Sequence, residues 1–547
     1  MDETKWLNND YVKFIRWAQW HVTQSPTQLG ELGQQPAPAG VVVLITDNSY
    51  LASPTFRGMR RYLLTQFDDI YILNLHGALV AGATGDQNIF DIKQGVCIGV
   101  FVRHNLERAE AHQVEEIQAA PIPEESPFLL LNPPEPLDEY VVNTEMQQLS
   151  TAPLRARIRY LSSVIGTRSQ KYAWLNALTW EQLKNAPELR PEPPFYIFKE
   201  FETDSEYSSW LSVEQIFKER SMAVTTGDDN GRVFFTRTEL QAAIPGAEGP
   251  SVRRYAYRPY DTRWIYHNGQ HLERDRMNIM RHLYQPNRAL IVLKQARRVG
   301  RYDYVLVSNE VTDKSLISTE SNCYAFPLYL YVRDDRQPGL AGMGRNVRNE
   351  NVRTEVLEQL TIAYGEDVTG EQVFHYVYAT LNAEGYQEAY EKQLPMDFPH
   401  IPFPKDVEYI KSLSALGRQL AEAHIQQALA NINVPFHSAG NNTIEENAIT
   451  YNSAADTVQF NAAGATFSGI TQAMWEYEIG GIRPLEHWLK ERAGRSFVLD
   501  HSANPATEAR IDDYRSIVRS IAATLPVHQQ INEAWRLLVG ERDGDGS

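Results

Sequence analysis

Arginines and aromatic residues are concentrated between Arg253 and Arg301, in a run that we call the basic stretch. It contains twelve basic residues, three acidic residues and six aromatic rings, whereas the whole chain of 547 residues carries a net charge of −17. Guanidinium groups bind phosphate oxygens or a guanine edge, and aromatic rings pack or stack on bases. These residue types favour a nucleic-acid-binding surface. An Arg-rich subdomain held together by ion pairs and cation–π contacts is the alternative interpretation.

If double-stranded DNA is the partner, its contact face must be locally basic, because a uniformly acidic surface repels phosphate. The residues predicted to bind DNA are Arg253, Arg254, Arg258, Arg263, Arg281, Lys294, Arg297, Arg298 and Arg301. Within this set we expect Arg258, Arg263 and Arg297 to contact the DNA directly.

No arrangement of residues indicates catalysis or a metal site by itself, so we predict no catalytic residue and no metal ligand. The histidines lack the paired spacing of zinc ligands, and no G-x-x-x-x-G-K-[ST] phosphate-binding loop occurs. The segment Asn132-Pro133-Pro134-Glu135 is close to the N-P-P-aromatic motif with which amino-methyltransferases hold an extruded adenine. Glu135 cannot stack on a base, so the match is incomplete.

The composition is that of a globular protein with several domains, since 43% of the residues are hydrophobic and 22% are charged. Cys97 and Cys323 each lie in an apolar run, which argues against a disulfide framework and favours a reducing compartment. The sequence shows neither a segment of membrane-spanning length nor a signal peptide. We therefore expect a soluble cytoplasmic protein with no membrane partner.

The first 106 residues alternate helices and strands as an α/β domain does. The patterns predict helices over 9–22 and 56–67 and strands over 41–45, 68–75 and 88–102. In a parallel sheet of this kind, ligands gather outside the carboxyl ends of the strands. These strands are too few for a complete doubly wound domain, so we expect another chain or a longer parent to cover the sheet.

The remaining chain predicts a change of fold class from α/β to α+β, followed by a helical C-terminal region. The boundaries are a Pro-rich connector over 107–153, an α+β module containing the basic stretch over 154–332, a polar Gly-rich linker over 333–351 and mainly helices over 352–547.

Residues 41–67, 69–77 and 90–100 resemble the second half of the adenine-N6 methyltransferase domain of type ISP enzymes, the single-polypeptide type I restriction-modification enzymes. Nine further stretches are similar to the target-recognition part that follows in this family: 166–175, 225–229, 257–266 (YRPYDTRWIY), 280–282, 312–318, 326–330, 374–378, 397–404 and 475–488. The resemblance covers nearly the whole chain in one collinear order. It implies a partial Rossmann-like methyltransferase sheet followed by a DNA target-recognition domain.

Two motifs of the family are missing upstream of Val41: the F-x-G-x-G loop for S-adenosylmethionine and the N-P-P-aromatic motif. The resemblance therefore implies a C-terminal half or recognition subunit of a restriction-modification or phage-defence methyltransferase. It would be inactive alone, and its partner would be an N-terminal half that binds S-adenosylmethionine. Two alternatives stay open: a catalytically dead DNA-binding specificity protein of a defence complex, and a truncated or frameshifted fragment.

The resemblance also implies candidates for the pocket of the target base. Asp47, Asn48 and Ser49 follow the first predicted strand, and Phe90 falls where a ring of related enzymes packs against the flipped base. The family usually carries Asn at the position of Asp47, and a core residue at the start of a strand is the alternative interpretation of Phe90.

Overall fold

A computed structural model of the chain describes residues 9–23, 39–77, 85–104, 126–134, 153–193, 195–201, 204–296, 301–338, 344–498 and 508–540. The chain divides into two compact units. The first comprises Met1–Pro121 and Pro136–Ser205, and the second comprises Ile122–Glu135 and Glu206–Ser547.

The first unit is built around a five-stranded sheet. Its elements are α1 (Asp10–Thr23), β1 (Gly40–Asp47), α2 (Arg57–Gln66), β2 (Asp69–His76), β3 (Val96–Arg103), β5 (Arg157–Ser162), α3 (Arg168–Ala177), α4 (Trp180–Lys184) and β6 (Glu188–Leu189). The strand order is β1-β3-β2-β5-β6. Because β3 is antiparallel to both β1 and β2, and β5 is parallel to β2, the carboxyl ends of β1, β2 and β5 share one edge.

Apolar side chains cover both faces of this sheet at its central strand β2. β2 is buried along seven of its eight residues, as a continuous apolar run predicts for a strand covered on both sides. On one face Ile70 and Phe101 pack with Leu63 of α2. On the other face Tyr71 packs with Leu183 of α4.

The second unit contains the remaining strands and most of the helices. Its strands are β4 (Phe128–Leu129), β7 (Leu211–Ser212), β8 (Ser221–Met222), β9 (Val233–Phe234), β10 (Val252–Arg258), β11 (Asp261–Tyr266), β12 (Ala289–Leu293), β13 (Val305–Ser308), β14 (Val311–Thr312), β15 (Cys323–Pro327), β16 (Tyr329–Pro338), β17 (Gly344–Glu350), β18 (His400–Ile401), β19 (Phe403–Pro404), β20 (Phe436–His437), β21 (Thr450–Asn452), β22 (Thr457–Gln459), β23 (Thr466–Ser468), β24 (Ser496–Val498) and β25 (Glu508–Arg510). Its helices are α5 (Ser205–Ser209), which begins one residue before the unit, α6 (Val213–Ile216), α7 (Arg237–Ala243), α8 (Met277–Met280), α9 (Thr354–Tyr364), α10 (Gly370–Leu381), α11 (Glu384–Ala389), α12 (Val407–His424), α13 (Gln472–Glu476), α14 (Pro484–Lys490) and α15 (Ile511–Val539).

Small sheets and a helical layer form the core of the second unit. Two of the sheets have the orders β14-β10-β11-β9 and β13-β12-β15-β8. Helix α12 packs between α10 and α15. Gly417 of α12 makes the close approach to α10 possible, because a Cβ there would lie 2.0 Å from the carbonyl oxygen of His375.

The structure differs from the sequence prediction in four places. The sheet of the first unit is mixed, since β3 is antiparallel, and residues 88–95 lie outside the strand predicted over 88–102. Residues 157–162, assigned to the recognition module, pair with β2 in the first unit. Within 333–351, predicted as a linker, residues 333–338 and 344–350 belong to the paired strands β16 and β17. Most of the connector over 107–153 lies outside the described residues.

Candidate nucleic-acid interface

The β10–β11 hairpin carries the centre of the basic stretch. Its strands pair from Val252 opposite Tyr266 to Arg258 opposite Asp261. Tyr260 in the turn is buried at a φ of 61°, with its hydroxyl 3.5 Å from Oγ1 of Thr524. The turn is therefore packed into the second unit.

Asp261 is the centre of a buried charge cluster. It is 1% exposed and accepts hydrogen bonds from Arg263 (Nε at 3.0 Å, Nη2 at 2.8 Å) and from Arg492 (Nη2 at 2.7 Å). Arg263 Nη2 also lies 2.6 Å from Glu491. Burial by itself raises the pKa of Asp261, but the two guanidiniums outweigh it and hold that pKa well below its usual range.

Two rings complete the surroundings of Arg263. Its guanidinium lies 3.7 Å from the centre of Tyr257 and 4.4 Å from that of Phe235. Arg492 and Arg495 lie 4.8 Å and 4.1 Å from the same Phe235 ring. Arg263 is 6% exposed, so it is a core residue, contrary to the prediction that it contacts DNA. Ion pairs and cation–π contacts, the alternative interpretation, describe this part of the stretch.

Arg258 also forms an ion pair within the second unit. Its Nη1 donates to Asp313 Oδ1 at 3.2 Å, and its side chain is 12% exposed. Tyr255 donates to the other oxygen of Asp313 at 2.5 Å. A DNA contact by Arg258, as predicted, would have to compete with Asp313, a carboxyl whose pKa is raised by burial.

Arg253 and Lys294 are half-buried. The guanidinium of Arg253 stacks 3.6 Å from the centre of the Tyr284 ring. Lys294 lies 3.9 Å from Asp397 and is 20% exposed. Both side chains pack against the unit rather than extending from it.

Arg254, Arg281 and Arg301 are the predicted DNA-binding residues that the structure leaves on the surface. Arg254 and Arg301 are 55% exposed and pair with Glu310 and Glu384. Arg281 is exposed at the start of the 3₁₀ turn Arg281–Tyr284, and its guanidinium has no ion pair within the described part of the chain. Arg297 and Arg298 lie outside the described residues.

In the first unit, the predicted base-pocket residues Asp47, Asn48 and Ser49 lie at the carboxyl end of β1. Asp47 accepts from the backbone N–H of Ser49 at 2.6 Å, and Asn48 Nδ2 donates to Asn74 Oδ1 at 3.0 Å. A Cβ on Gly95 would lie 2.7 Å from Asn48 Nδ2. The absence of a side chain at Gly95 therefore lets the backbone pass close to Asn48, whose N–H donates to the Gly95 carbonyl at 2.9 Å.

Side chains from β2 and β5 extend this group into what we call the strand-end cluster: Asp47, Asn48, Ser49, Asn74, His76 and Ser162. Asn74 donates to the Tyr160 hydroxyl at 3.0 Å, and His76 Nε2 lies 2.5 Å from Ser162 Oγ. His76 has a φ of 53°, a conformation that a non-glycine residue adopts only under constraint. Burial lowers its pKa, which favours the neutral ring.

Phe90 lies in the segment that leads into β3, where its N–H donates to Asn88 Oδ1 at 2.9 Å. It is 41% exposed and precedes the strand, so its alternative interpretation as a core residue at a strand start is wrong. Asp86 fixes the segment by accepting hydrogen bonds from Gly77 N (2.7 Å) and Gly166 N (3.1 Å) and pairing with buried Lys171 at 2.6 Å. These interactions outweigh burial and lower the pKa of Asp86.

Asp261, His487 and Glu491 bring three potential metal-ligand atoms within 4.8 Å of one another. Arg263 and Arg492 already neutralise Asp261. A cation at this position would lie against two guanidiniums, so the group is better described as part of the ion-pair network.

The model of the Type ISP C-terminal specificity domain matches residues 207–519, more than half of the chain. The chain belongs to this family. The matched residues lie within the second unit, which therefore contains the Type ISP specificity domain.

Solved structures resemble the chain over almost its full length. A DrdV–DNA complex determined by cryo-EM matches with a TM-score of 0.62 and 19% identity, covering 99% of this chain and 53% of that one. The ATP-dependent Type ISP restriction-modification enzyme LlaBIII bound to DNA matches with a TM-score of 0.64 and 18% identity, covering 98% and 34%. A nuclease-deletion mutant of the Type ISP restriction-modification enzyme LlaGI in complex with a DNA substrate mimic matches with a TM-score of 0.57 and 14% identity. The match covers 98% of this chain and 40% of that one.

This chain spans about half the length or less of these three proteins. The similarity extends over the first unit as well as the specificity domain, and it shows a shared fold. The comparison with curated proteins found no match. In the part of the chain that the structure describes, no helix has the length and apolarity needed to cross a membrane.

The sequence did not predict several residues of the charge cluster around Asp261 and of the first unit's strand-end region. Glu491 and Arg492 follow Arg263 by more than 200 positions, and no local pattern connects them. Asn74 and His76 end the predicted strand over 68–75, where polar residues at a strand end could have marked them. Lys171 gave no signal, because a lysine at the start of a helix is ordinarily exposed.

Proposed function

We propose that this chain is the DNA-recognition half of a type ISP-like adenine-N6 methyltransferase of a restriction-modification or phage-defence system. The Type ISP specificity domain would bind double-stranded DNA. The first unit would complete a catalytic domain whose cofactor loop and N-P-P-aromatic motif lie on another polypeptide. S-adenosylmethionine, bound by that partner, supplies the methyl group.

The observation that carries this proposal is the open edge of β1. Among the described residues, β1 pairs on one side only, with β3. Val41, Val43 and Ile45 alternate along it and are 60%, 58% and 53% exposed. An exposed apolar edge strand is a template for another strand, and folded proteins seldom leave one uncovered.

Helix α1 adds exposed apolar surface on the opposite face of β1 from Val41, Val43 and Ile45. It packs on the face of the sheet that carries Val42. Its outer residues Phe14 and Trp17 are 62% and 63% exposed. Apolar surface on a strand edge and on a flanking helix suits a partner that adds both a strand and helices, as the missing part of an α/β sheet would.

The strand-end cluster supports the chemistry proposed for the assembly. It lies at the edge where an open α/β sheet binds its ligand. Phe90, which is exposed, would stack on an extruded adenine. The partner's Asn side chain and Pro carbonyl would accept hydrogen bonds from the adenine amine. No residue of this chain is assigned a catalytic role.

Reconstitution tests this proposal. The chain is mixed with tritiated S-adenosylmethionine and DNA, with or without an N-terminal polypeptide carrying F-x-G-x-G and N-P-P-aromatic motifs. We expect label in DNA only when both polypeptides are present. Label transferred by the chain alone would contradict the split-enzyme assignment.

A substitution at the open edge sharpens the test. Val43→Lys places a charge in the proposed contact, so we expect it to abolish co-purification with the N-terminal polypeptide and methylation while DNA binding persists. Ile362→Lys is the matched control, since Ile362 is 82% exposed on α9 of the second unit. Normal assembly by Val43→Lys would exclude β1 as the contact.

Asp47 favours a second candidate function, a catalytically dead specificity protein that binds DNA in a defence complex. A carboxylate stands there where the resembling enzymes usually have an amide, and it adds negative charge beside the proposed DNA path. DNA binding without methylation in any reconstitution would support this function.

A further inference from the structure

Strands β16 and β17 form a two-stranded sheet of their own, which we call the ribbon. β16 has ten residues, which corresponds to a length of roughly 30 Å at about 3.3 Å per residue. Opposed pairs run from Tyr329 and Glu350 at the base to Asp334 and Arg345, and Pro338 pairs with Gly344 after a shift of register. The ribbon lies directly after β15 of the specificity domain.

The base of the ribbon is firmly anchored. Asn287 Nδ2 donates to the Tyr329 carbonyl at 2.8 Å, and its Oδ1 accepts from the Tyr329 N–H at 3.1 Å. The Tyr331 N–H donates to His282 Nδ1 at 3.0 Å, and the Tyr331 hydroxyl donates to the Pro286 carbonyl at 2.7 Å. These four hydrogen bonds hold the base of the ribbon to the domain.

Above this base the ribbon exposes apolar and basic side chains. Val332 and Val347 are directly opposite each other and are 50% and 40% exposed. Arg348 is exposed, with its guanidinium 4.2 Å from the centre of the Tyr329 ring. A cross-strand valine pair normally packs against a third element. Here it faces solvent, and Arg348, which opposes Tyr331, lies on the other face of the ribbon.

We propose that the ribbon enters the major groove of double-stranded DNA, with Val332 and Val347 against base edges and Arg348 against the phosphate backbone. This inference rests on the proposed DNA-recognition function. The major groove, about 12 Å wide, admits a two-stranded ribbon, and apolar side chains there contact thymine methyl groups. Between residues 333 and 348 the sequence has four arginines and two aspartates, so the charge suits DNA in an otherwise acidic chain.

Binding of a fluorescent duplex and selection from a random duplex library test the proposal on the full chain. Arg348→Ala is expected to weaken binding to all sequences and to reduce the slope of log affinity against log salt by about one unit. The Val332→Ser/Val347→Ser double variant is expected to keep that slope and to change the enriched sequence at one or two base pairs.

Matched controls separate a local effect from a general one. Arg418→Ala removes an arginine that is 62% exposed on α12, and Ile362→Ser removes an exposed apolar side chain on α9. Both should behave as wild type, and all variants should keep the wild-type melting temperature, because none alters the core. Variants of the ribbon that bind and select DNA as wild type does would overturn the ribbon contact alone. Failure of the wild-type chain to bind any duplex would overturn the proposed DNA recognition as well.

Discussion

Arg263 donates two hydrogen bonds to one oxygen of Asp261, from Nε at 3.0 Å and from Nη2 at 2.8 Å, and neither side chain is more than 7% exposed. The two residues are two positions apart on β11 and so lie on the same face of the strand. Arg263 is therefore a buried core residue, although it lies in the most basic part of the sequence. The exposed basic residues of the basic stretch are its neighbours, such as Arg254 and Arg301.

Removal of one partner of this pair should be strongly destabilising. Arg263→Met leaves the Asp261 carboxylate buried with Arg492 as its remaining cation, and we expect the free energy of unfolding to fall by about 3 kcal/mol. Urea denaturation measures the change. Arg418→Ala, which breaks an exposed pair on α12, should cost less than about 0.5 kcal/mol. Equal stability of the two variants would show that the cluster contributes little.

Substitution of Arg281, unlike that of Arg263, should affect DNA binding and not stability. Its guanidinium is exposed and has no ion pair in the described ranges, so Arg281→Ala should leave the melting temperature unchanged. If Arg281 contacts phosphate, the variant should bind every duplex more weakly and lower the salt slope by about one unit. Fluorescence anisotropy at several salt concentrations measures both quantities. An unchanged slope would place Arg281 outside the DNA contact.

Gly417→Ala should destabilise the specificity domain by about 2 kcal/mol or more, because its methyl group would overlap the His375 carbonyl and force α12 away from α10. Gly58→Ala is the matched control on α2, where a Cβ meets nothing within 4 Å. That variant should be about 0.5 to 1 kcal/mol more stable than wild type. Chemical denaturation of both proteins gives the comparison. A Gly417→Ala protein as stable as wild type would contradict the close approach.

Buried histidines predict loss of stability in mild acid. His375 and His282 are 2% and 4% exposed, and burial lowers the pKa of each to about 4. In the unfolded chain they titrate near 6.5, so unfolding takes up protons below that pH. The stability they contribute is complete above about pH 6.5 and is lost as the pH falls towards 4.

The urea midpoint measured between these pH values tests this prediction. His375→Gln keeps an acceptor for Arg288, whose Nη1 lies 3.2 Å from His375 Nε2, and it cannot be protonated. We expect a shallower loss of stability for this variant than for wild type. Parallel curves for the two proteins would show that His375 does not titrate on unfolding.

Local patterns predicted many elements of the fold. The apolar run over 41–45 became part of β1, and the helix predicted over 9–22 became α1 with its bounds shifted by one residue. The resemblance to type ISP enzymes predicted the order of the parts along the chain, with an α/β sheet first and a target-recognition domain after it. Strand direction was less accessible, because β3 is a buried apolar strand whichever way it pairs.

The candidate sites were predicted as regions rather than as contacts. The sequence identified the basic stretch. It did not show that Arg263 is buried in an ion-pair network, because Glu491 and Arg492 of that network are distant in sequence and close only after folding. The ribbon was interpreted as a linker, because its glycines and charged residues resemble those of a loop. Cross-strand pairing, which determines its structure, is a non-local property.

The open edge of β1 has a consequence for how the protein must be made. Among the described residues nothing pairs with this edge, and three apolar side chains of β1 are exposed. Such a strand also attracts a second copy of itself and other unfolded chains. The polypeptide that covers this edge therefore has to be synthesised at the same time as this chain and in a similar amount. Synthesis in excess over that supply should appear as self-association and rapid proteolysis, which would couple the abundance of this protein to that of its complement.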